Sequence, residues 1–399
     1  MKILHVFPQL PTPPTSGGTL RVFHILKHLC KHHDVTVAGF SENGDRDYFN
    51  KSFPELKGKM NFVYREPKKF HRLRQAYSYL SNHSHWYRWA ESKELEQKLQ
   101  GLLDANDFDI FQVEFSSMGH FDLQTDAIRI LDAHNVEYDN FRRMSTLDWS
   151  MLRKSFYRHE YEKCYEEEIA AIKRQNALFV TSKRDGELFA KDAPGVKQFV
   201  IPNGVDTSYF KPKKAEQEPF SIVFTGAMKY VPNYDGMIWF IEEIFPIIKK
   251  IIPQAKVYVV GSGPPPILKA YESDSVIITG FVDDVRPYVD EAGVFVVPLN
   301  MGSGTRLKVL EALSMKKPVV STSIGCEGIE VEDDEHILIR DNPGEFAEAV
   351  IEVFNNQKLK KRLIDNGYQL VKEKYDWTVI GESIEESFEV LTTKELVPQ

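Results

Sequence analysis

The feature that most limits what this chain can fold into is an alternation that runs its course and then starts again. Short apolar runs, "KILHVF" (Lys2–Phe7), "VTVAGF" (Val35–Phe40), "DIFQVEF" (Asp109–Phe115), "IRILDA" (Ile128–Ala133) and "ALFVTS" (Ala177–Ser182), are separated by longer amphipathic stretches. The first of these stretches predicts a helix with Leu20, Phe23, Leu26 and Cys30 on its apolar face, and Met151–Asn176 predicts a long charged helix. The cycle resumes with "SIVFTGAM" (Ser221–Met228), a helix around Gly236–Lys250, then "KVYVVGSG", "SVIITG", "VFVVPL" and "PVVSTS". Buried strands alternating with helices indicate a parallel sheet wrapped by helices. At 399 residues the chain exceeds what one core usually supports. The expected fold class is α/β, two doubly wound parallel sheets in tandem, with the polar, proline-bounded "KPKKAEQEP" (Lys211–Pro219) as linker. Ligands of such sheets bind beyond the carboxyl ends of the strands, and a cleft between two sheets is the first place to look.

Charge and composition exclude several classes. A formal net charge of −8 argues against general nucleic-acid binding, which needs a basic face. Three cysteines (Cys30, Cys164, Cys326) lie at no metal-ligand spacing and suit a reducing compartment, so a cytoplasmic location is expected. The start, "MKILHVFPQLP", meets proline too early for a signal-peptide core, and no apolar run approaches the ~20 residues of a spanning helix. A membrane role would therefore be peripheral. One segment suits that role: "YREPKKFHRLRQAYSYLSNHSHWYRW" (Tyr64–Trp89) sets Lys68, Lys69, Arg72 and Arg74 among aromatics that include Trp86 and Trp89. Basic plus aromatic is what an anionic bilayer surface or a lipid-phosphate head favours. A charged helix with its own aromatic core contacts explains the segment equally well.

The stretch "MGSGTRLKVLEALSMKKPVV" (Met301–Val320) holds an oddity. Arg306 and Lys308 fall in the expected first turn of a helix, whose amino end is already electropositive. The turn Gly302, Ser303, Gly304, Thr305 follows a strand, where glycines let backbone approach a ligand and leave amides free for an anion. A bound phosphate would reverse the charge argument. Glu311 lines up with Lys308 rather than Arg306, yet stands among Val309, Leu310, Ala312 and Leu313, where a carboxylate needs a reason such as a ribose. Further glycine turns at Gly226, Gly261 and Gly263 end strands at the same edge, but prolines after Gly263 deny the dinucleotide fingerprint. Gly17 and Gly18 open the first helix and offer amides again. His134, in "LDAHNVE", stands just past a strand end. No serine–histidine–aspartate order or zinc spacing gives it a partner, and "DFD" (Asp107, Asp109) reads as a strand cap rather than a metal site.

Taken in order, "IPNGVD", "FTGAM", "VYVVGSGP", "ITGFVDDVRPYV" and "VPLNMGSGTRLKVLEALSMKKPVVST" resemble the retaining, nucleotide-sugar-dependent glycosyltransferases of family 4. The opening "PTPPTSGGTLRVFHILKHLCKHHDVTV" is similar to that family's acceptor-side domain. The resemblance implies two facing Rossmann-like domains (GT-B) with an interdomain cleft, residues 1–203 and 204–374, with residues 375–399 ("YDWTVIGESIEESFEVL" among them) as a helix returning to the first. It implies that Glu311 holds the ribose, that the 302–305 turn sits at the pyrophosphate and sugar, and that His134 lies near the donor sugar. Gly17 and Gly18 would lie near the phosphates. It implies a nucleotide diphosphate sugar as donor, a sugar or lipid-linked acceptor in surface polysaccharide or glycolipid synthesis, and no metal or other cofactor. Two departures stand out. The family's first paired glutamate falls on Ser303, and its phosphate-binding arginine and lysine fall on Ala227 and Pro232. A turn of this composition replaces that glutamate in some members, so Arg306 and Lys308, with Lys229, are the expected substitutes. Two other readings remain: a sugar-nucleotide epimerase of the same architecture, and a sugar-nucleotide-binding partner without catalysis.

Overall fold

The computed structural model describes residues 1–42, 44–66, 79, 81–146, 150–213, 217–302 and 304–393. It divides into two compact units, Met1–Pro202 together with the stretch from Gly381 onward, and Asn203–Ile380. The first carries a seven-stranded parallel sheet: β1 (Lys2–Phe7), β2 (Asp34–Ser41), β3 (Met60–Tyr64), β4 (Ile110–Glu114), β5 (Ile128–Ala133), β6 (Ala177–Val180) and β7 (Lys197–Val200), in the order β3-β2-β1-β4-β5-β6-β7. The second carries six: β8 (Ser221–Thr225), β9 (Lys256–Val260), β10 (Val276–Gly280), β11 (Val294–Val297), β12 (Val319–Ser321) and β13 (Leu338–Ile339), in the order β10-β9-β8-β11-β12-β13. Each is a doubly wound Rossmann-like sheet. Its order reverses once, between β1 and β4 in the first and between β8 and β11 in the second. At such a point the chain leaves neighbouring strands toward opposite faces, which opens a crevice at their carboxyl ends.

Burial explains why the strands were legible. Every residue of β4, β6, β8 and β11 is buried, so helices cover both faces and no polar alternation is needed. The second unit's core runs through Val223, Phe224, Val259, Phe295 and Leu310, the first's through Leu4, Val6, Val113, Leu131 and Leu178.

Three expectations need correction. Helix α1 (Gly17–His32) buries Val22, Ile25, Leu26 and Leu29, with Arg21 and Thr19, while Leu20, Phe23 and Cys30 are half-buried. The buried face is turned because Arg21 is drawn inward by a carboxylate partner. The helix expected from Gly236 begins at Val231, with Pro232 in its first turn where the absent N–H costs nothing. It runs on through a π-helical stretch, Phe240–Ile244, to Ile251. Finally, Lys211–Pro219 is no boundary. The Lys213 N–H donates to Asp290 (2.9 Å), the Glu218 N–H donates to the Glu291 carbonyl (2.9 Å), and the units part at Pro202/Asn203.

The helix Trp377–Thr392 spans the second change of unit, and its residues from Gly381 pack with the first. His28 and His33 each meet the Glu385 carboxylate, at 2.9 and 3.0 Å, and Phe388 is fully buried against Phe179. Among the described residues no helix is long and apolar enough to cross a membrane.

Candidate active site

In the second unit the crevice between β8 and β11 collects the residues the sequence singled out. Arg306 is the residue before the helix Leu307–Ser314, with non-helical backbone, so Lys308 alone of the two cations lies in the first turn. Arg306 is buried (7% exposed), donates from Nη1 to the Gly304 carbonyl (3.0 Å), and packs its guanidinium against Gly302. Gly302 and Gly304 have φ of 118° and 76°, conformations that side chains other than glycine's resist. A Cβ on Gly302 would lie 2.9 Å from Arg306 Nη2. The turn is therefore glycine-rich because it wraps a buried cation. Asn203 donates to the Thr305 hydroxyl (3.2 Å) and ties down its far side. Ser303 lies outside the described residues.

Lys308 reaches back toward β8. Its Nζ donates to Asn233 Oδ1 (2.8 Å) and sits 3.9 Å from the centre of the Phe224 ring, while Asn233 Nδ2 donates to the Ala227 carbonyl (2.9 Å). A Cβ on Gly226 would come within 2.8 Å of both Lys308 Nζ and Asn233 Nδ2, so that glycine makes room for the pair. Burial and then the neighbouring Arg306 charge bring the Lys308 amine down to about 7, with Glu311 opposing both. Burial likewise pushes the Glu311 carboxyl up to about 7, with Lys308 acting against it. Among the described residues Glu311 takes no hydrogen bond. Lys229 and Ala227 are exposed in the loop after β8, with the Lys229 side chain against Gly263; Pro232 is buried. Arg306 and Lys308 stand close enough for the guanidinium charge to act on the amine.

In the first unit the crevice between β1 and β4 holds a network the sequence only hinted at. Glu114 ends β4 and is fully buried. Its Oε1 lies 2.5 Å from His5 Nε2 and 2.8 Å from Gln112 Nε2, and its Oε2 lies 2.7 Å from His134 Nε2. Burial alone would raise this carboxyl. The adjacent His5 and the hydrogen bonds from His134 and His5 outweigh it and hold Glu114 well below the ordinary carboxylate range. His134 thus has a partner after all, twenty residues back on the neighbouring strand. Phe115, at φ 68°, stacks on the His134 ring with centroids 3.8 Å apart. Beside it, Arg21 forks onto Asp132 (2.9 and 2.8 Å) and donates to the Pro202 carbonyl (2.9 Å). Removing one partner of such a buried pair costs about 3–5 kcal/mol, so Arg21 fixes α1 over the crevice. Ser16 and Thr19 cap α1 reciprocally. Among the described residues the amides of Gly17 and Gly18 take no hydrogen bond, as expected for a helix start. On the other side of His134, Glu168 accepts from the Glu137 and Tyr138 amides (3.3 and 3.0 Å), its carboxyl pushed up to about 8 by burial and by Glu137.

Glu114, Asp132 and His134 offer ligand atoms within 4.8 Å of one another, which is metal-binding geometry. Their oxygens are already taken by a guanidinium, an amide and two imidazoles, and the Arg21 charge opposes a second cation there. His5, Gln112, Glu114, Asp132 and Arg21 were not singled out from sequence, although polar residues inside apolar runs were the available signal.

Of the basic–aromatic segment, Lys68, Lys69, Arg72 and Arg74 lie outside the described residues. Trp86 and Trp89 stack on each other (5.9 Å), and both pack against the first unit's core, with Trp86 edge-on to Phe115 (6.4 Å). They are core contacts and not a bilayer face, because the rings find apolar partners inside the unit.

Residues 219–356 match the family model described as glycosyl transferases group 1. The likeness to that family lies in the second half of the chain. It is 25% identical, over 64% of its length and 67% of the relative's, to an uncharacterized 44.6 kDa protein in the cps region of Klebsiella pneumoniae. It is also 25% identical, over 51% of its length and 53% of the relative's, to a putative teichuronic acid biosynthesis glycosyltransferase, TuaC, of Bacillus subtilis. The chain thus spans two thirds of one relative and about half of the other. Among solved structures, Anabaena Alr3699/HepE in complex with UDP superposes with a TM-score of 0.68 at 13% identity, covering 98% of this chain and all of that one. That likeness is one of fold, a pair of Rossmann-like domains of the GT-B type. The matched residues lie within the unit that holds Arg306, Lys308 and Glu311.

Proposed function

We propose that the chain transfers a hexosyl group from a nucleotide diphosphate sugar to an acceptor hydroxyl, with retention at the anomeric carbon. The observation that carries this reading is the pairing of buried Arg306 with half-buried Lys308 around a glycine turn at the second sheet's switch point. In this reading Arg306 and Lys308 stabilise the diphosphate as it departs. Glu311, unpaired by any hydrogen bond, accepts from the ribose hydroxyls. The 302–305 turn and Gly226 bring backbone close to the diphosphate and sugar, with Lys229 at the rim. His134 contacts the donor sugar, and the Gly17 and Gly18 amides serve the phosphates. Protein cations do the work a divalent metal does elsewhere, so turnover persists in chelator.

The acceptor belongs to the surface-polysaccharide or glycolipid class, a reading supported by the name of the Bacillus relative, a putative teichuronic acid biosynthesis glycosyltransferase. A cytoplasmic enzyme touching the inner membrane face through Lys68, Lys69, Arg72 and Arg74 fits such an acceptor. That contact predicts salt-sensitive binding to anionic vesicles. The deciding experiment is a calorimetric panel of UDP, GDP, ADP and dTDP against wild type and Arg306→Ala. The reading expects one diphosphate to bind at micromolar affinity and weaken at least tenfold in the variant, about 1.4 kcal/mol. Equal binding to both proteins removes Arg306 from the diphosphate site. Diphosphate binding without transfer to any acceptor would favour the non-catalytic partner, and anomalous sugar interconversion with water the epimerase.

A further inference from the structure

Asn233 is buried (7% exposed) and joins the two places where the resemblance expects cations: it follows Pro232, and its side chain bonds the Ala227 backbone. Its own backbone is fixed. Pro232 precedes it in the first turn of the helix Val231–Trp239, and its N–H donates to the Tyr230 carbonyl (3.0 Å). Its side chain is fixed as well. The Ala227 carbonyl, which can only accept, takes the Tyr230 N–H (3.1 Å) and Asn233 Nδ2 (2.9 Å). That contact decides which way the amide faces, so Oδ1 is the atom turned to Lys308 Nζ, 2.8 Å away. Among the described residues this is the only hydrogen bond the amine makes. The Phe224 ring lies on another side of it, at 3.9 Å. A Cβ on Gly226 would stand 2.8 Å from Nζ, so that glycine leaves a third side open.

An amide is the unexpected choice at this position. The first turn of a helix favours aspartate, whose charge answers the helix dipole, and an aspartate would also pair with the lysine. Yet this first turn holds no acidic residue. Resting on the transferase reading above, we propose that Asn233 is a positioning residue that holds the Lys308 amine beside Gly226 without cancelling its charge, so that the charge is left for the donor's diphosphate. The amide oxygen takes the hydrogen bond and brings no counter-charge. A carboxylate in its place would neutralise the amine and repel the phosphate oxygens. An apolar residue would release the lysine chain, whose four-carbon stem has many rotamers to choose from. Beyond burial, which acts most strongly, the charges felt by the amine are Arg306, which disfavours its proton, and Glu311, which favours it. Among the described residues neither bonds it, so its place is set by Asn233 and the Phe224 ring. Asn233 thereby lets a lysine from a different helix serve the edge of β8, where Ala227 and Pro232 offer no cation.

The test follows the lysine itself, by NMR of the full chain with isotopically labelled lysine, Lys308 being assigned by its loss in Lys308→Arg. Asn233→Asp keeps the size of the side chain and adds the charge. It should raise the pH at which Lys308 titrates by at least about one unit. Calorimetry with UDP, GDP, ADP and dTDP gives the second readout. Whichever of them binds wild type should bind Asn233→Asp and Asn233→Ala at least about tenfold more weakly, the first through the cancelled charge and the second through the released amine. An asparagine that only closed the loop after β8 would lower the melting temperature of both variants and leave the lysine titration where it was. A titration unmoved in Asn233→Asp therefore overturns the proposal, as does wild-type diphosphate affinity in either variant. If wild type binds none of the four, the transferase reading fails and this role falls with it. A failure of Asn233 alone leaves wild-type binding intact, which tells the two apart.

Discussion

The discharged lysine makes a quantitative prediction about how a diphosphate binds. With its amine held at about 7 by burial and by Arg306, Lys308 is mostly neutral at pH 8.5. A diphosphate docking beside it would restore an ordinary ammonium, near 10.4, so binding should draw about one proton from solution. The other groups at this site are silent at that pH. Glu311, at about 7, is already ionised, Arg306 is always charged, and the ligand's own phosphate is past its last step near pH 6. The sign follows: raising pH removes a proton the complex needs, so affinity falls roughly tenfold per pH unit above neutrality, about 1.4 kcal/mol each. The assay is titration calorimetry of the binding nucleoside diphosphate at pH 8.5 in Tris and in bicine, whose ionisation enthalpies differ, which counts protons taken up. Wild type should take up close to one, and Lys308→Arg, charged from the start, close to none. Micromolar binding without proton uptake in wild type, or the same uptake in the arginine variant, refutes the reasoning.

Three further outcomes are expected. Gly226→Ala places a methyl where Lys308 Nζ and Asn233 meet, and should weaken diphosphate binding at least tenfold, by calorimetry, with little change in circular dichroism. Lys308→Met should raise the melting temperature at pH 7 while abolishing diphosphate binding. A lysine whose folded pKa is depressed binds fewer protons folded than unfolded, so it penalises stability below its unfolded value and the penalty fades as pH rises toward it. Removing the amine lifts that penalty, and a lower melting temperature would contradict the burial argument. Glu385→Ala removes the carboxylate shared by His28 and His33. It should cost on the order of 1–3 kcal/mol in urea denaturation and expose the helix Trp377–Thr392 to protease.

Local order was written plainly in the chain. β1 and β5 begin and end where their apolar runs do, because strands covered on both faces are largely apolar. The turn from Gly302 to Thr305 was legible for a similar reason, since positive φ demands glycine locally. What the sequence did not disclose was register. His5 lies opposite Gln112, and Glu114 opposite Asp132, because β1, β4 and β5 pair side by side in one parallel alignment. Nothing within "KILHVF" or "DIFQVEF" states that alignment, and without it His134 looked alone. The charge states are likewise tertiary. Lys308 and Glu311 look like an ordinary surface pair three residues apart until Phe224, Asn233 and the Gly226 turn gather around the Lys308 amine. Sequence fixes which groups are present and which segments are strands. Only packing decides how much water each group loses, and desolvation is what shifts a lysine to neutrality and leaves a carboxylate for an imidazole to find.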